Sequence, residues 1–228
     1  MKEFMSTGWA VDQDDNLRDP KIKGRQMEMM AELAGIYGSH PAFYGWYLPV
    51  EDCLGPVLTD YAVEAVNALT DRARELTPRA KILISPYGIF NSEFDDPRYE
   101  EQLSRLKVDI IAYQDEVGVK KTKVDRTEKI FERLRKAHDK AGRAELWADI
   151  ELFDFEGMVY KSALLPASFQ RIQKQIENVA PYVDKILGYQ YLGLMNPPDS
   201  KSFAGHENSK TLYEDYKKIL KNQFYKQL

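Results

Sequence analysis

Short apolar runs alternate with longer amphipathic stretches along the chain. A short, nearly continuous apolar run is typical of a strand that is covered on both faces, whereas apolar residues spaced three and four apart are typical of a helix. In the stretch 59–76, for example, Ala62, Val66 and Leu69 fall on one helical face. The apolar runs predict six strands, at residues 4–9, 43–50, 81–88, 108–116, 146–150 and 185–192.

Amphipathic stretches follow each predicted strand. The spacing of their apolar residues predicts helices that alternate with the strands. The polar residues between these elements predict loops, of which two are long: residues 12–23 before the first helix, and residues 153–166 after the fifth strand. The predicted helices cover residues 24–37, 59–76, 98–106, 126–140, 167–179 and 210–224.

Regular alternation of strands and helices predicts an α/β fold with a parallel sheet and helices outside it. An open doubly wound sheet and a barrel both satisfy this pattern. Polar and acidic residues at the strand ends and the lack of a glycine-rich phosphate loop favour the barrel. Because six units are visible instead of eight, we expect residues 1–228 to form one TIM-type (β/α) barrel domain, N-terminally truncated, that lacks its first two strand–helix units.

Length and charge narrow the class of protein. The 228 residues are enough for one sizeable core. The net charge is -4 without a long basic run, so nucleic acid is not expected as a partner.

No apolar run approaches the roughly 18 residues of a membrane span. The first residues have no apolar stretch of the kind that a signal peptide carries, so none is expected in this chain. The oligomeric state and the compartment stay open.

Cysteine and histidine give no support for a metal or another cofactor. Cys53 is the one cysteine, which excludes an internal disulfide, and it is predicted to be a buried, inert thiol. No two histidines have the spacing of metal ligands. His138 lies in a charged helix and is predicted to be solvated. We therefore expect no metal and no cofactor.

Two strand ends carry the most informative carboxylates. The second predicted strand runs into Glu51, and the fifth runs into Glu151. Strand alternation puts Trp147 and Asp149 on the same face as Glu151, so Asp149 is an alternative to Glu151 as the working acid. Active sites of barrels lie at the carboxyl ends of the strands. The sequence therefore predicts that Glu51 and Glu151 face each other across one pocket and are catalytic.

Further side chains near the predicted strand ends are candidates for binding a substrate. Aromatic faces pack on the apolar faces of sugar rings, and amides and carboxylates bind sugar hydroxyl groups. The tyrosines of the last strand divide by alternation, so not all of them can line one pocket. The predicted substrate-binding residues are Trp9, Trp46, Tyr87, Gln114, Asp115, Trp147, Asp149, Gln190 and Tyr191.

Three segments carry a family resemblance. Residues 38–47 (GSHPAFYGWY) followed by Glu51 resemble the fourth-strand region of an uncharacterised family of glycosidase-like TIM barrels, a domain of unknown function. Residues 109–115 (DIIAYQD) and 188–191 (GYQY) are similar to the sixth and eighth strands of that family. The resemblance covers most of the chain, from about residue 4 to residue 221.

The resemblance implies catalytic roles. Retaining glycosidases on this barrel carry an acid/base glutamate after strand four and a nucleophile after strand seven, which Glu51 and Glu151 match in placement. Val50 stands where the best-known clan has asparagine, so the chain departs from that pattern. The resemblance also suggests an exported protein.

These features together predict a glycoside hydrolase that acts on an oligo- or polysaccharide by a retaining mechanism with two carboxylates. A carbohydrate is the expected partner. The alternative is a non-catalytic glycan-binding barrel, which would keep the aromatic and hydroxyl-binding residues without a correctly spaced acid pair. A third interpretation is a structural or interaction module in which the acids are ordinary surface residues.

Overall fold

The computed structural model describes residues 2–7, 19–51, 53–201 and 203–224. Within them, six parallel strands form one sheet in the order β1-β2-β3-β4-β5-β8, and the short strands β6 and β7 form a separate antiparallel hairpin. This confirms the six predicted strands. The strands are β1 (Glu3–Met5), β2 (Phe43–Tyr47), β3 (Lys81–Ile84), β4 (Ile110–Gln114), β5 (Glu145–Glu151), β6 (Phe153–Phe155), β7 (Leu164–Pro166) and β8 (Lys185–Tyr189).

Helices connect the parallel strands and follow the last of them. Their amphipathic faces pack on the outside of the sheet and bury the larger of two hydrophobic clusters. None of the helices in the described part of the chain is both long and apolar enough to cross a membrane. The helices are α1 (Pro20–Tyr37), α2 (Asp60–Leu76), α3 (Pro97–Arg105), α4 (Val124–Ala141), α5 (Phe169–Val179) and α6 (Asn208–Phe224).

The sheet is curled, and the smaller hydrophobic cluster lies on its concave face. This cluster contains Leu83, Ala112 and Trp147, with Phe4 packed against them. Phe4 belongs to the edge strand β1, yet its ring centroid lies 6.4 Å from that of Trp147 on β5, near the opposite edge. A flat sheet would keep these strands far apart, so the contact follows from curling. The fold is an incomplete (β/α) barrel of six strands, as the alternation predicted.

Helix α1 begins earlier than the polar composition of residues 12–23 predicted. The side chain of Asp19 accepts a hydrogen bond of 2.8 Å from the Lys21 N–H, and Pro20 occupies the first helical turn. Asp is a favourable N-cap, and proline fits the first turn because its missing N–H would have no partner there. The predicted loop is therefore helical from Pro20, and residues 8–18 lie outside the described residues.

The predicted loop 153–166 contains the β6–β7 hairpin. Phe153 pairs with Pro166, and Phe155 pairs with Leu164. Each strand has only three residues, which is too short for an alternating pattern to stand out from loop sequence. This hairpin extends the connection between β5 and α5 at the carboxyl end of the sheet.

Two side chains have surroundings that differ from the predictions. His138 is only 2% exposed, and its ring lies between the Tyr113 hydroxyl, 2.9 Å from Nε2, and the Ala144 carbonyl oxygen, 3.1 Å from Nδ1. Burial lowers the pKa of His138 to about 4, so the prediction of a solvated histidine is wrong. Cys53 is exposed, not buried, because it follows β2 in a surface loop.

Candidate functional site

A cavity of about 1010 Å³ opens at the carboxyl ends of the parallel strands. Every strand of the curled sheet, or the loop that follows it, contributes at least one lining residue. The carboxyl ends of barrel strands are where active sites form, and the volume is large enough for a sugar ligand. Four of the lining residues are acids, namely Glu51, Glu116, Asp149 and Glu151.

Glu151 is the last residue of β5 and is 5% exposed. Its Oε2 accepts a hydrogen bond of 2.8 Å from the Val119 N–H, and the Gly118 N–H also stabilises the carboxylate. Burial, and then the charge of Asp115, outweigh these bonds and raise the pKa of Glu151 to about 8. The carboxyl group therefore holds a proton at neutral pH.

Asp115 supports Glu151 from behind the cavity wall. It is fully buried, and its Oδ1 accepts from the Glu151 N–H at 3.1 Å and the Val117 N–H at 3.2 Å. Its Oδ2 accepts from the Gln175 Nε2 at 2.5 Å. Burial raises the pKa of Asp115 to about 6. The prediction that Asp115 binds a sugar is therefore corrected: both of its oxygens are engaged inside the protein.

Asp149 lies two residues before Glu151 and lines the same cavity, as strand alternation predicted. It is half-buried. Burial, and then the charges of Asp115 and Glu51, raise the pKa of Asp149 to about 7. Asp149 therefore lies in the electrostatic field of Glu51 and is a third carboxyl group of the site.

Glu51 follows β2 and faces the cavity from the opposite side of the curled sheet. The hydroxyl group of Tyr47 donates a hydrogen bond to its Oε1. Burial, and then the charge of Glu51, raise the pKa of Tyr47 well above its usual value, so the hydroxyl group keeps its proton. A donor that stays protonated stabilises the ionised form of the carboxylate that it contacts.

Tyr189, the last residue of β8, lies among the three carboxyl groups. Burial raises its pKa, and Glu51, Asp149 and Glu151 add to the shift in that order. Its side chain lines the cavity and is 42% exposed. The Tyr189 hydroxyl group is therefore close enough to all three carboxyl groups to be affected by their charges.

The two residues predicted from the end of the last strand lie elsewhere. Gln190 is exposed, Tyr191 is 53% exposed, and neither lines the cavity. Strand β8 ends at Tyr189, so alternation turns Gln190 away, and the chain bends after it. Leu187 lines the cavity, and counting two residues forward from it along the strand would have selected Tyr189.

Trp46 and Trp147 are core residues. Trp46 is fully buried on the helix side of the sheet, and its Nε1 donates to the Thr77 hydroxyl oxygen at 2.8 Å. Trp147 is 2% exposed in the concave-face cluster, and its Nε1 donates to Glu145 at 3.0 Å. Their predicted contact with a substrate is corrected, because neither ring lines the cavity. Trp9 lies outside the described residues.

Tyr87 and Gln114 line the cavity where the strand-end rule predicted them. Gln114 ends β4, and its Nε2 donates to the Ser85 carbonyl oxygen at 3.1 Å. This bond fixes the orientation of the Gln114 amide group, so that the amide oxygen lies on the side away from Ser85. Tyr87 lies in the loop after β3, at the mouth of the cavity.

Lys121 lies at the edge of the cavity and forms an ion pair with the buried Glu116, and neither was among the predicted site residues. Its Nζ lies 3.5 Å from the Glu116 Oε1 and 5.0, 5.7 and 6.0 Å from the ring centres of Tyr87, Phe90 and Tyr160. The cation thus joins the loops after β3, β4 and β5. Such contacts join distant parts of the chain and leave no local pattern.

Aromatic residues of the hairpin form one wall of the cavity. Phe153, Phe155 and Tyr160 line it, together with Ser162. This segment was predicted to be a loop, and none of these residues was predicted to line the site.

Within the part of the chain that the structure describes, no group of three or more His, Cys, Asp or Glu residues is arranged to hold a metal ion.

Comparison with known proteins identifies a family and a fold. A family model described as a domain of unknown function (DUF4434) matches residues 5–202. No curated protein sequence matches the chain. Among solved structures, a putative alpha-L-fucosidase from Bacteroides thetaiotaomicron superposes with a TM-score of 0.73 at 21% identity, covering 90% of this chain and 62% of that protein.

Two further similar structures are glycosidases of other families. GH5_18 from Streptomyces cattleya, in complex with Manb1-4GlcNAc, has a TM-score of 0.57 at 15% identity, covering 90% of this chain and 56% of that protein. The GH2 beta-galacturonidase from Eisenbergiella tayi has a TM-score of 0.56 at 14% identity, with 90% and 38% covered. The chain spans less than two thirds of each protein. At these identities the likeness establishes the glycosidase-like TIM-barrel fold.

Proposed function

We propose that this chain is a glycoside hydrolase acting on an oligo- or polysaccharide. It belongs to the DUF4434 family, a domain of unknown function. One observation carries the proposal: Glu51, Asp149 and Glu151 line one cavity at the carboxyl end of the incomplete barrel. The similar structures described as a fucosidase, a galacturonidase and a GH5_18 protein support the same class of reaction.

Glycosidic cleavage needs one protonated and one ionised carboxyl group on either side of the scissile bond. Glu151 supplies the proton, because burial raises its pKa to about 8. Glu51 accepts a hydrogen bond from the Tyr47 hydroxyl group, which holds it in position to attack the anomeric carbon or to activate water. Asp149 is neutral below pH about 7 and binds a sugar hydroxyl group between them.

This assignment exchanges the roles that the family resemblance implies. By resemblance Glu51 would be the acid/base and Glu151 the nucleophile. The surroundings favour the reverse: the carboxyl group with the raised pKa is Glu151, and the one with a tyrosine donor is Glu51. The retaining mechanism stays part of the proposal.

The first experiment measures hydrolysis of aryl glycosides and oligosaccharides by the parent, Glu51→Gln and Glu151→Gln. Each substitution should lower kcat/KM by roughly 10²–10⁴, because a positioned acid or base contributes about that much. Glu156→Gln is the matched control, since Glu156 is exposed on the hairpin and does not line the cavity. Full activity in both cavity variants would contradict the assignment.

A leaving-group comparison separates the two roles. The leaving group of a dinitrophenyl glycoside, dinitrophenolate, departs without help from an acid. Glu151→Gln should therefore keep its kcat/KM on this substrate while losing activity on oligosaccharides. Glu51→Gln should lose both. The opposite pattern would restore the roles implied by the resemblance.

Two further readouts test the mechanism and the class. Proton NMR of the first-formed sugar shows whether its anomeric configuration is kept, as a retaining enzyme requires. Calorimetric binding of glycans by the parent without any turnover would instead support the non-catalytic glycan-binding barrel.

A further inference from the structure

A continuous path of aromatic side chains leads from the carboxyl groups to the tip of the hairpin. Tyr189 contacts Phe153, with ring centres 6.2 Å apart, and Phe153 contacts Phe155 at 5.6 Å. Phe155 contacts Tyr160 at 5.7 Å. All four side chains line the same cavity as Glu51 and Glu151. The path therefore belongs to the site and is not a separate surface patch.

From Phe153 outwards, the exposure of the rings rises towards the tip of the hairpin. Phe153 is 4% exposed, Phe155 is half-buried, and Tyr160 is 66% exposed. A large aromatic ring that is mostly in solvent at the mouth of a cavity is available to a ligand that leaves the cavity there. Aromatic rings pack well on the apolar faces of sugar rings.

The tip is held in position. The Lys121 ammonium lies 6.0 Å from the ring centre of Tyr160, and Lys121 is itself anchored by Glu116, whose Oε2 accepts from the Gly88 N–H at 2.8 Å. Ser162 Oγ accepts from the Gly157 N–H at 2.8 Å and donates to the Met158 carbonyl oxygen at 3.0 Å, which closes the turn between the strands. A fixed ring loses little freedom when it binds a ligand.

We propose that Tyr160 forms a distal sugar subsite and that the substrate is an oligosaccharide longer than a disaccharide. Neighbouring ring centres on the path are about as far apart as one six-membered sugar ring is wide. A chain with its scissile bond at Glu51 and Glu151 therefore needs more than one further sugar to reach Tyr160. This inference rests on the proposed function, since it takes the position of the scissile bond from it.

The test measures binding and hydrolysis of gluco-, manno-, xylo- and galacto-oligosaccharides, from disaccharide to hexasaccharide, by the parent and by Tyr160→Ala. The long oligosaccharides of one series should bind the parent best. Tyr160→Ala should weaken their binding about five- to tenfold, the value of one aromatic packing contact, and leave the disaccharide unchanged. Tyr160→Phe keeps the ring and should behave as the parent.

Met158→Ala is the matched control, because Met158 is equally exposed at 66% on the same turn and does not line the cavity. Equal affinity of the parent and Tyr160→Ala for every length would overturn the subsite. So would an equal loss for all lengths, or no binding by the parent of any oligosaccharide in the panel. Binding that depends on length but is not followed by hydrolysis would support the subsite and contradict the proposed hydrolase function. Hydrolysis at a rate that depends neither on length nor on Tyr160 would support the hydrolase function and contradict the subsite.

Discussion

Three of the carboxyl groups that line the cavity, those of Glu51, Asp149 and Glu151, have different neighbours. Glu151 is buried beside the charge of Asp115, and Asp149 is half-buried within the field of Glu51. Glu51 instead accepts from the Tyr47 hydroxyl group. Pairs of acids that are held in opposite protonation states are the usual requirement for acid–base work at one pH.

Replacing Tyr47 by phenylalanine removes the donor to Glu51 and leaves the ring in place. We expect kcat/KM to fall about tenfold, because the Glu51 carboxyl group loses the hydrogen bond that holds its orientation. The basic limb of the activity profile, which follows Glu151 and lies near pH 8, should stay where it is. The measurement is kcat/KM against pH for both proteins. Movement of the basic limb alone would contradict the roles.

Strand alternation and the strand-end rule predicted several cavity residues from the sequence. Glu51, Asp149 and Glu151 were found because each lies at or next to the carboxyl end of a strand. The prediction that Trp46 binds a substrate was wrong because Trp46 alternates with Tyr47 along the strand. Alternation alone does not say which of two aromatic neighbours faces the cavity. Lys121 was missed because its partners come from three loops, whose contacts depend on the folded chain.

At the scale of elements, the loop after β4 fixes the end of β5. A Cβ atom on Gly118 would lie 2.6 Å from the Phe153 carbonyl oxygen and 2.9 Å from Oε2 of Glu151. The backbone of the loop therefore lies directly against the carboxyl group of Glu151. Arg171 holds the same strand end from α5, since its Nη2 donates to the carbonyl oxygens of Glu151 and Phe153 at 2.8 Å.

Gly118→Ala should displace Glu151 and reduce kcat at least tenfold, because three close contacts, one of them with backbone, must be relieved. Steady-state kinetics with circular dichroism checks this and confirms that the variant folds. Gly35→Ala is the matched control: Gly35 lies exposed in α1 with open space around its Cβ position, so activity should not change. Unchanged kcat in Gly118→Ala would show that the loop does not hold Glu151.

Element type was predictable wherever an amphipathic or apolar pattern ran for several residues. Helices α2 and α4 and strands β3 and β5 have such patterns. The β6–β7 hairpin does not, because its register comes from contacts with the rest of the cavity wall and not from its own short strands. The start of α1 was hidden by polar residues that cap a helix as readily as they form a loop.

At the scale of the whole molecule, the buried acids of the cavity reduce stability as the pH rises. The pKa of Glu151 is raised from 4.5 to about 8, and that of Asp149 from 3.8 to about 7. A raised pKa in the folded state means that stability is complete below the unfolded value and is lost as the pH passes through the folded value. His138, with its pKa lowered from 6.5 to about 4, acts oppositely: its contribution is lost as the pH falls through that range.

Glu151→Gln and Asp149→Asn should therefore raise the Tm above that of the parent at pH above about 8, where the parent ionises both groups. Each kcal/mol gained corresponds to about 2–4 °C for a protein of this size. Below pH about 4 the difference should vanish, because the parent acids are then neutral as well. Thermal unfolding across this pH range is the measurement. A gain of equal size at every pH would point to packing instead of charge.

The cavity wall is contributed by both edge strands, β1 and β8, and by every strand between them. Parallel strands meet only after long stretches of intervening chain have been ordered, which makes such sheets slow to complete. No part of the sheet contains the whole site, so separated fragments would not bind a ligand. A molecule that fits the cavity recognises only the finished sheet, and its binding would report the last stage of folding in a refolding experiment.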